Sequence, residues 1–170
     1  MIDKIKGRVW KLGDNIDTDV IYPGKYLPII DAEEMAKHAL EGMDKDFPKR
    51  IKKGDIIIAG RNFGCGSSRE QAATCLKFAG IGCVIAKSFS RIFFRNAINQ
   101  GLALVQSSDL LENTKEGDEI TIDFSSNQIV TKNKSFPFPA LDGFVMGILE
   151  DGGLIEHTKK VLGKNKKGAI

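Results

Sequence analysis

Three features of the chain point to an α/β domain with a mixed sheet and flanking helices. Short apolar runs rich in β-branched residues recur at 55–60 (DIIIAG), 83–88 (CVIAKS) and 102–106 (LALVQ), the pattern of buried strands. Helical segments that end on glycine lie between them, at 69–79 before Gly80 and at 88–101 with Gly101 as the stop. Strand, helix, strand, helix, strand is the order of a right-handed α/β unit. Beyond it the pattern changes: 116–132 (EGDEITIDFSSNQIVTK) alternates around a polar Ser-Ser-Asn turn and predicts a two-stranded hairpin, an added β layer.

The elements before and after this unit follow from local chemistry. Residues 5–11 alternate loosely and read as a strand. Residues 13–29 (GDNIDTDVIYPGKYLPI) are rich in Gly, Asn, Asp and Pro and predict a long ordered loop. Asp31 is placed to cap a helix over 31–43, with Glu33 and Glu34 at its positive end and Gly42 at its stop. Pro137 and Pro139 break the chain, and a helix around 144–153 closes the domain.

Size and composition narrow the function classes. A chain of 170 residues suits one domain with a core of its own, expected over 1–163, followed by a basic, flexible tail over 164–170. The net charge is only +3, and Lys159, Lys160, Lys164, Lys166 and Lys167 lack the arginines and aromatics of a nucleic-acid arm. No run approaches the roughly 18 apolar residues that span a bilayer, and MIDKIKGRVW lacks a signal-peptide core. A cytoplasmic protein without nucleic-acid or membrane partners is expected. Cys65, Cys75 and Cys83 are an odd number without a CxxC pair, and His38 and His157 stand apart, so no zinc or iron–sulfur site is expected in this chain.

Chemistry concentrates in two segments. In AGRNFGCGSSREQAA (59–73), Gly64 and Gly66 allow a tight turn, and Ser67, Ser68 and Arg69 follow at the start of a helix. Free N–H groups and the helix dipole favour an anion there, and Arg69 can grip a carboxylate through two parallel hydrogen bonds. The plainer alternative is that Ser67 or Ser68 caps the helix and Arg69 faces water. The run is neither a Walker A loop nor a GxSxG elbow. In the second segment, Asp14, Asp17 and Asp19 crowd one loop; Asx-turns and a cap are the plainer reading, and the spacing fits no calcium loop. Phe89, Ile92, Phe93 and Ile98 have helical spacing and read as core, with Arg91 and Arg95 orienting nearby loops.

Taken together, GDNIDTDVIYPGKYL, GRNFGCGSSREQAA and IAKSFSRIFFRNAINQGL resemble the small subunit of 3-isopropylmalate dehydratase, which is similar to the C-terminal swivelling domain of aconitase. The resemblance implies a β/β/α swivelling domain that closes over a large subunit, in a heterodimer or heterotetramer, with self-association of the isolated chain also open. It implies a cluster of the 4Fe–4S type in that large subunit, acting as a Lewis acid on the departing hydroxide, and no cofactor in this chain. The implied activity is a hydro-lyase of leucine biosynthesis, converting 2-isopropylmalate to 3-isopropylmalate by dehydration and rehydration.

By the same resemblance, Ser67 is the serine whose alkoxide removes the proton, Ser68 and Arg69 bind substrate carboxylate, and Asp19 assists the serine or orients its surroundings. The loop Tyr26-Leu27-Pro28-Ile29 is the expected specificity element. It contains no arginine, and Lys25 is the only cation beside it, which favours a branched apolar group over a distal carboxylate. Homoaconitase-like and 2,3-dimethylmalate dehydratase-like subunits are the alternatives within this class. A stand-alone small-anion binding module is the alternative outside it.

Overall fold

The computed structural model describes residues 3–167. One seven-stranded sheet runs through the molecule in the order β4-β3-β2-β1-β5-β6-β7. β1 (Lys4–Lys11), β2 (Ile56–Ala59), β3 (Cys83–Ala86) and β4 (Ala103–Gln106) are parallel. β5 (Glu119–Asp123), β6 (Gln128–Val130) and β7 (Ser135–Pro137) continue antiparallel from the other side of β1. The expected added layer is therefore the other half of one sheet. β1 joins the halves: its first part pairs β5 from Lys4 opposite Asp123 to Arg8 opposite Glu119, and its last part pairs β2 from Val9 opposite Ile56 to Lys11 opposite Ile58.

The side-chain alternation of the strands divides the core. Trp10, Ile57, Val84 and Leu104 lie in one apolar cluster, and Val9, Ile56, Cys83 and Ala103 lie in the other. β2 and β3 are buried on both faces, so their sequences are unbroken apolar runs. β5 has one solvated face and alternates, sending Ile120 and Ile122 inward. The first cluster is covered by α1 (Thr18–Ile21), α2 (Ala32–Ala36), α3 (Phe47–Arg50) and α4 (Glu70–Phe78). α6 (Leu110–Asn113) and α7 (Gly143–Glu150) cover the second, and α5 (Arg91–Asn99) contributes to both. α8 (Leu154–Lys167) follows; the basic tail expected over 164–170 falls at and beyond the end of the described residues.

Two elements depart from the sequence expectation for nearby physical reasons. α2 stops at Ala36 although its cap forms as expected, with Asp31 accepting from the Glu34 amide at 2.9 Å. The chain leaves the helix because Leu40 adopts φ 60° and its N–H donates to the Ile21 carbonyl at 2.7 Å, which buries Ala39 and Leu40. Gly42 is glycine for a different reason than a helix stop: a Cβ there would lie 2.6 Å from the Val20 backbone. The second departure is β7, where prolines predicted only a break. Pro137 sits at the end of an edge strand, a position that tolerates a missing N–H.

Candidate active site

The carboxyl ends of the parallel strands bring the two chemistry-bearing segments together. The loop after β1 and the loop after β2 run side by side, tied by Asn15 N–H to the Arg61 carbonyl (2.8 Å), Gly64 N–H to Ile16 (2.7 Å) and Thr18 N–H to Cys65 (2.8 Å). The start of α5 holds the second loop from the other side. Ser90 donates its hydroxyl to the Gly64 carbonyl at 2.6 Å, and Phe63 exchanges backbone hydrogen bonds with Ser88 and Ser90 at 3.0 Å. Gly64 and Gly66 have φ 76° and 92°, and a Cβ on Gly64 would lie 2.1 Å from the Phe93 ring. Only glycine lets this loop turn against that aromatic wall.

The turn delivers Ser67, Ser68 and Arg69 to the start of α4. Arg69, not a serine, is the N-cap residue, and no side chain caps the helix. The capping alternative left open by the sequence is thereby removed. Both serines are exposed, and Ser68 makes no side-chain hydrogen bond to any described residue. Thr18 touches Ser67: its hydroxyl donates to the Ser67 carbonyl at 3.0 Å and lies 3.5 Å from Ser67 Oγ. Two exposed hydroxyls thus stand beside uncapped helix N–H groups, a favourable setting for negative charge.

Arg69 is anchored at one corner. Its Nη1 donates to Asp19 Oδ1 at 2.6 Å and to the Tyr22 carbonyl at 3.0 Å, while Nη2 and Nε have no hydrogen-bond partner among the described residues. The same Asp19 oxygen accepts from the Gly24 N–H at 2.9 Å. The Arg69 hydrogen bond, with that of the Gly24 amide, holds the Asp19 carboxyl below its ordinary range. The aspartate therefore stays ionised and keeps the guanidinium oriented, with donors left over for a carboxylate.

The three acids of the first loop have separate duties. Asp14 accepts the Arg61 N–H at 2.6 Å and Asp17 caps α1, accepting from Asp19 and Val20 at 2.8 Å each, so these two follow the plainer reading. Asp19 alone reaches the arginine. Thr18, the residue in contact with Ser67, was missed by sequence reasoning; its position between two of the aspartates was the available signal.

The loop beyond Asp19 forms a 3-10 turn, Gly24–Tyr26, and then an apolar segment in which Leu27, Pro28 and Ile30 are exposed and Ile29 is half-buried against the core. Leu27, Ile29 and Ile30 border an open cleft of about 370 Å³ shared with Met35, Gln71 and Phe78. Lys25 is committed: its ammonium lies 3.5 Å from Glu41 Oε1 and 4.7 Å from the Tyr26 ring centroid. Arg91, Ile92 and Arg95 are exposed on α5, whereas Phe93 and Ile98 are buried as expected.

The family model of the aconitase C-terminal domain matches residues 11–109. The 3-isopropylmalate dehydratase small subunit of Thermodesulfovibrio yellowstonii is 54% identical, over 94% of this chain and 96% of that protein. This chain belongs to that small-subunit family. Family members under other names are almost as similar. The isopropylmalate/citramalate isomerase small subunit of Methanocaldococcus jannaschii is 49% identical over 95% of this chain and 98% of that one. The methanogen homoaconitase small subunit of Methanothermobacter thermautotrophicus is 48% identical over 93% and 92%. The crystal structure of the M. jannaschii 3-isopropylmalate dehydratase chain superposes with a TM-score of 0.92 at 47% identity, covering 98% of this chain and 99% of that one. The fold is accordingly the aconitase C-terminal type.

Two of the three cysteines of this family member are inert core residues. Cys75 and Cys83 are fully buried in opposite halves of the core, where burial pushes both thiols up and keeps them neutral. No group of three or more His, Cys, Asp or Glu side chains among the described residues is arranged to hold a metal ion. No described helix is long and apolar enough to cross a membrane.

Proposed function

We propose that the chain is the proton-handling and carboxylate-binding half of a 3-isopropylmalate dehydratase, a hydro-lyase that acts with a large subunit. The proposal extends to an iron–sulfur cluster in that large subunit, to leucine biosynthesis as the setting and to the cytoplasm as the location. One observation carries it: Ser67 and Ser68 have no capping duty and stand beside an arginine that is anchored by a single nitrogen.

Isomerisation of a 2-hydroxy acid requires loss of a proton and of hydroxide from neighbouring carbons, followed by re-addition with the positions exchanged. Ser67 accepts the proton as an alkoxide and returns it on rehydration. An alkoxide is a strong base that water would protonate, so it needs fixed donors and a closed site. The α4 N–H groups supply the donors, and a subunit closing over the exposed serines excludes the water. Ser68 and the free edge of Arg69 hold the carboxylate beside the carbon that loses its proton, and Asp19 aligns Arg69.

2-Isopropylmalate is the substrate this loop favours. Leu27, Pro28 and Ile29 offer an apolar surface, and Lys25 is occupied by Glu41 and Tyr26. A distal carboxylate would have to compete with Glu41 for Lys25, and left unpaired it would cost several kcal/mol if it were buried. A homocitrate-like substrate is the second reading, because a homoaconitase subunit is 48% identical.

Reconstitution with the large subunit tests the assignment. Ser67→Ala lowers kcat by about a thousandfold with KM nearly constant, as loss of a proton acceptor does. Arg69→Lys raises KM and lowers kcat/KM by about a hundredfold, because an ammonium cannot replace a fork of donors. Losses below about fivefold for both would reduce the loop to a helix entrance and sink the reading.

A further inference from the structure

Glu41 lies outside the groups assigned above, yet five interactions converge on it and on the loop it faces. Its Oε1 accepts the Tyr26 hydroxyl at 2.5 Å and lies 3.5 Å from the Lys25 ammonium. Its Oε2 lies 2.6 Å from His38 Nδ1. The His38 ring stacks on the Tyr26 ring with centroids 3.6 Å apart and planes 17° from parallel. From below, the buried Tyr22 hydroxyl donates to the Tyr26 carbonyl at 2.9 Å. Tyr26 is therefore held at its hydroxyl, its ring face and its backbone. At the other end of the same turn, the Gly24 N–H is held by Asp19.

Only part of the segment fixed in this way touches the core: Ile29 is half-buried against it. Leu27 is 39% exposed and Ile30 92% exposed, so ordering them in the isolated chain removes little apolar surface from water. Rigid side chains, a mostly buried carboxylate and an exposed apolar loop form a costly combination unless the loop's position matters. The backbone is also bent to produce it. α2 ends early and Leu40 takes the left-handed conformation, and the next residue, Glu41, is thereby delivered to the Tyr26 hydroxyl. A helix continued through 43, as the sequence predicts, would break the Leu40 and Gly42 ties to the loop's own base at Ile21 and Val20.

We propose that Glu41 is a positioning residue for substrate selection: with Tyr26 and His38 it clamps the turn Gly24–Tyr26 and holds Leu27 and Ile29 ready for the substrate's branched end. This rests on the reading that the loop contacts that end. A clamped loop presents its apolar surface without being ordered by the substrate. A released loop must be ordered on binding, which weakens binding of the branched substrate more than of an unbranched one.

The test uses two measurements on Glu41→Ala and Glu41→Gln. Amide hydrogen exchange on the full chain reads the clamp, at the Leu27 and Ile29 N–H groups that donate to Gly24 (3.1 Å) and Tyr26 (2.9 Å). The reconstituted enzyme reads selection, as the ratio of kcat/KM for 2-isopropylmalate to that for 2-methylmalate. Glu41→Ala is expected to speed exchange at both amides at least tenfold and to lower the ratio about fivefold through KM, with kcat kept. Glu41→Gln, which still offers the Tyr26 hydroxyl an acceptor, restores most of both. Unchanged exchange in Glu41→Ala overturns the clamp. Faster exchange with an unchanged ratio overturns its role in selection. In that case Leu27→Ala separates the causes: a changed ratio leaves the loop as the reader, and an unchanged one removes the underlying reading as well. Should Glu41→Ala fail to fold, Tyr26→Phe removes only the hydroxyl and carries the same comparison.

Discussion

Two arginine–aspartate pairs lie at opposite ends of the parallel strands, and their burial is inverted. At the entry to β2, the Asp55 side chain is 4% exposed while its partner Arg8 is 36% exposed. At the exit, Arg69 is 17% exposed while its partner Asp19 is 66% exposed. Asp55 is held three times through one oxygen: Oδ2 accepts from Arg8 (2.7 Å), Trp10 Nε1 (2.7 Å) and the Lys52 N–H (2.9 Å), although Arg8 Nε is buried without a partner among the described residues. Arg69 is left unsaturated, with two of its nitrogens free of protein acceptors among the described residues. A buried acid held by three donors is a bolt. A sheltered cation with donors to spare, oriented by an exposed acid, suits the carboxylate-binding role proposed for Arg69. The same two residue types thus serve the fold at one end and, in the proposed function, the site at the other.

The largest expected effect breaks the bolt. Asp55→Ala strands the Trp10 N–H, the Lys52 N–H and the Arg8 charge, and costs about 3 kcal/mol, or a melting temperature lower by about 10 °C. Activity of the folded, reconstituted variant stays near wild type. The pH dependence follows from the direction of the shift. Burial alone would raise the Asp55 carboxyl, but Arg8, the Lys52 amide and Trp10 outweigh it and hold the carboxyl below its ordinary range. A carboxyl with a depressed folded value contributes stability above its unfolded value of about 4 and loses that contribution as pH falls through the folded value. Melting curves of wild type and Asp55→Ala should therefore converge below about pH 4. A constant gap across that range would show that packing, not the ionised pair, carries the loss.

The counterpart at the other end should affect rate and spare stability. Asp19→Asn removes the charge that orients Arg69 and lowers kcat/KM by about tenfold, with the melting temperature changed by no more than about 1 °C. A large loss of melting temperature would make Asp19 a second bolt and abolish the contrast between the two pairs.

The sequence displayed most of what depends on local pattern. The apolar runs that become β2, β3 and β4 announced strands buried on both faces, and the glycines and hydroxyls of 64–68 announced a tight turn before a helix. What stayed hidden depends on partners far along the chain. Nothing within 31–43 indicates that the Leu40 N–H will prefer the Ile21 carbonyl to a helical one. Nothing around Asp55 names Arg8 and Trp10, which lie 47 and 45 residues away. The placement of Asp19 on Arg69, across 50 residues, is of the same kind. Residue types suggested that both belong to a site; only the fold shows that Thr18, and not Asp19, is the neighbour of Ser67.

A third arginine, one without an acid of its own, sharpens the comparison with the smallest expected effect. Pro28 is exposed next to Leu27 in the loop proposed to read the substrate, and the local hydrogen bond from Ile29 to the Tyr26 carbonyl does not involve its missing N–H. Pro28→Arg therefore fits the turn, although it gives up the fixed φ that helps to shape it. The new guanidinium finds Glu41 already occupied by Tyr26, His38 and Lys25, so it stays free beside the apolar end of 2-isopropylmalate. A free cation there disfavours a branched apolar group and favours a distal carboxylate. The ratio of kcat/KM for 2-isopropylmalate to that for homocitrate should fall about fivefold, chiefly through loss on the first substrate. Gain on the second is smaller, because the loop must also turn the arginine inward. If the ratio does not move, the apolar loop is not what selects the isopropyl group, and selection must lie in the large subunit.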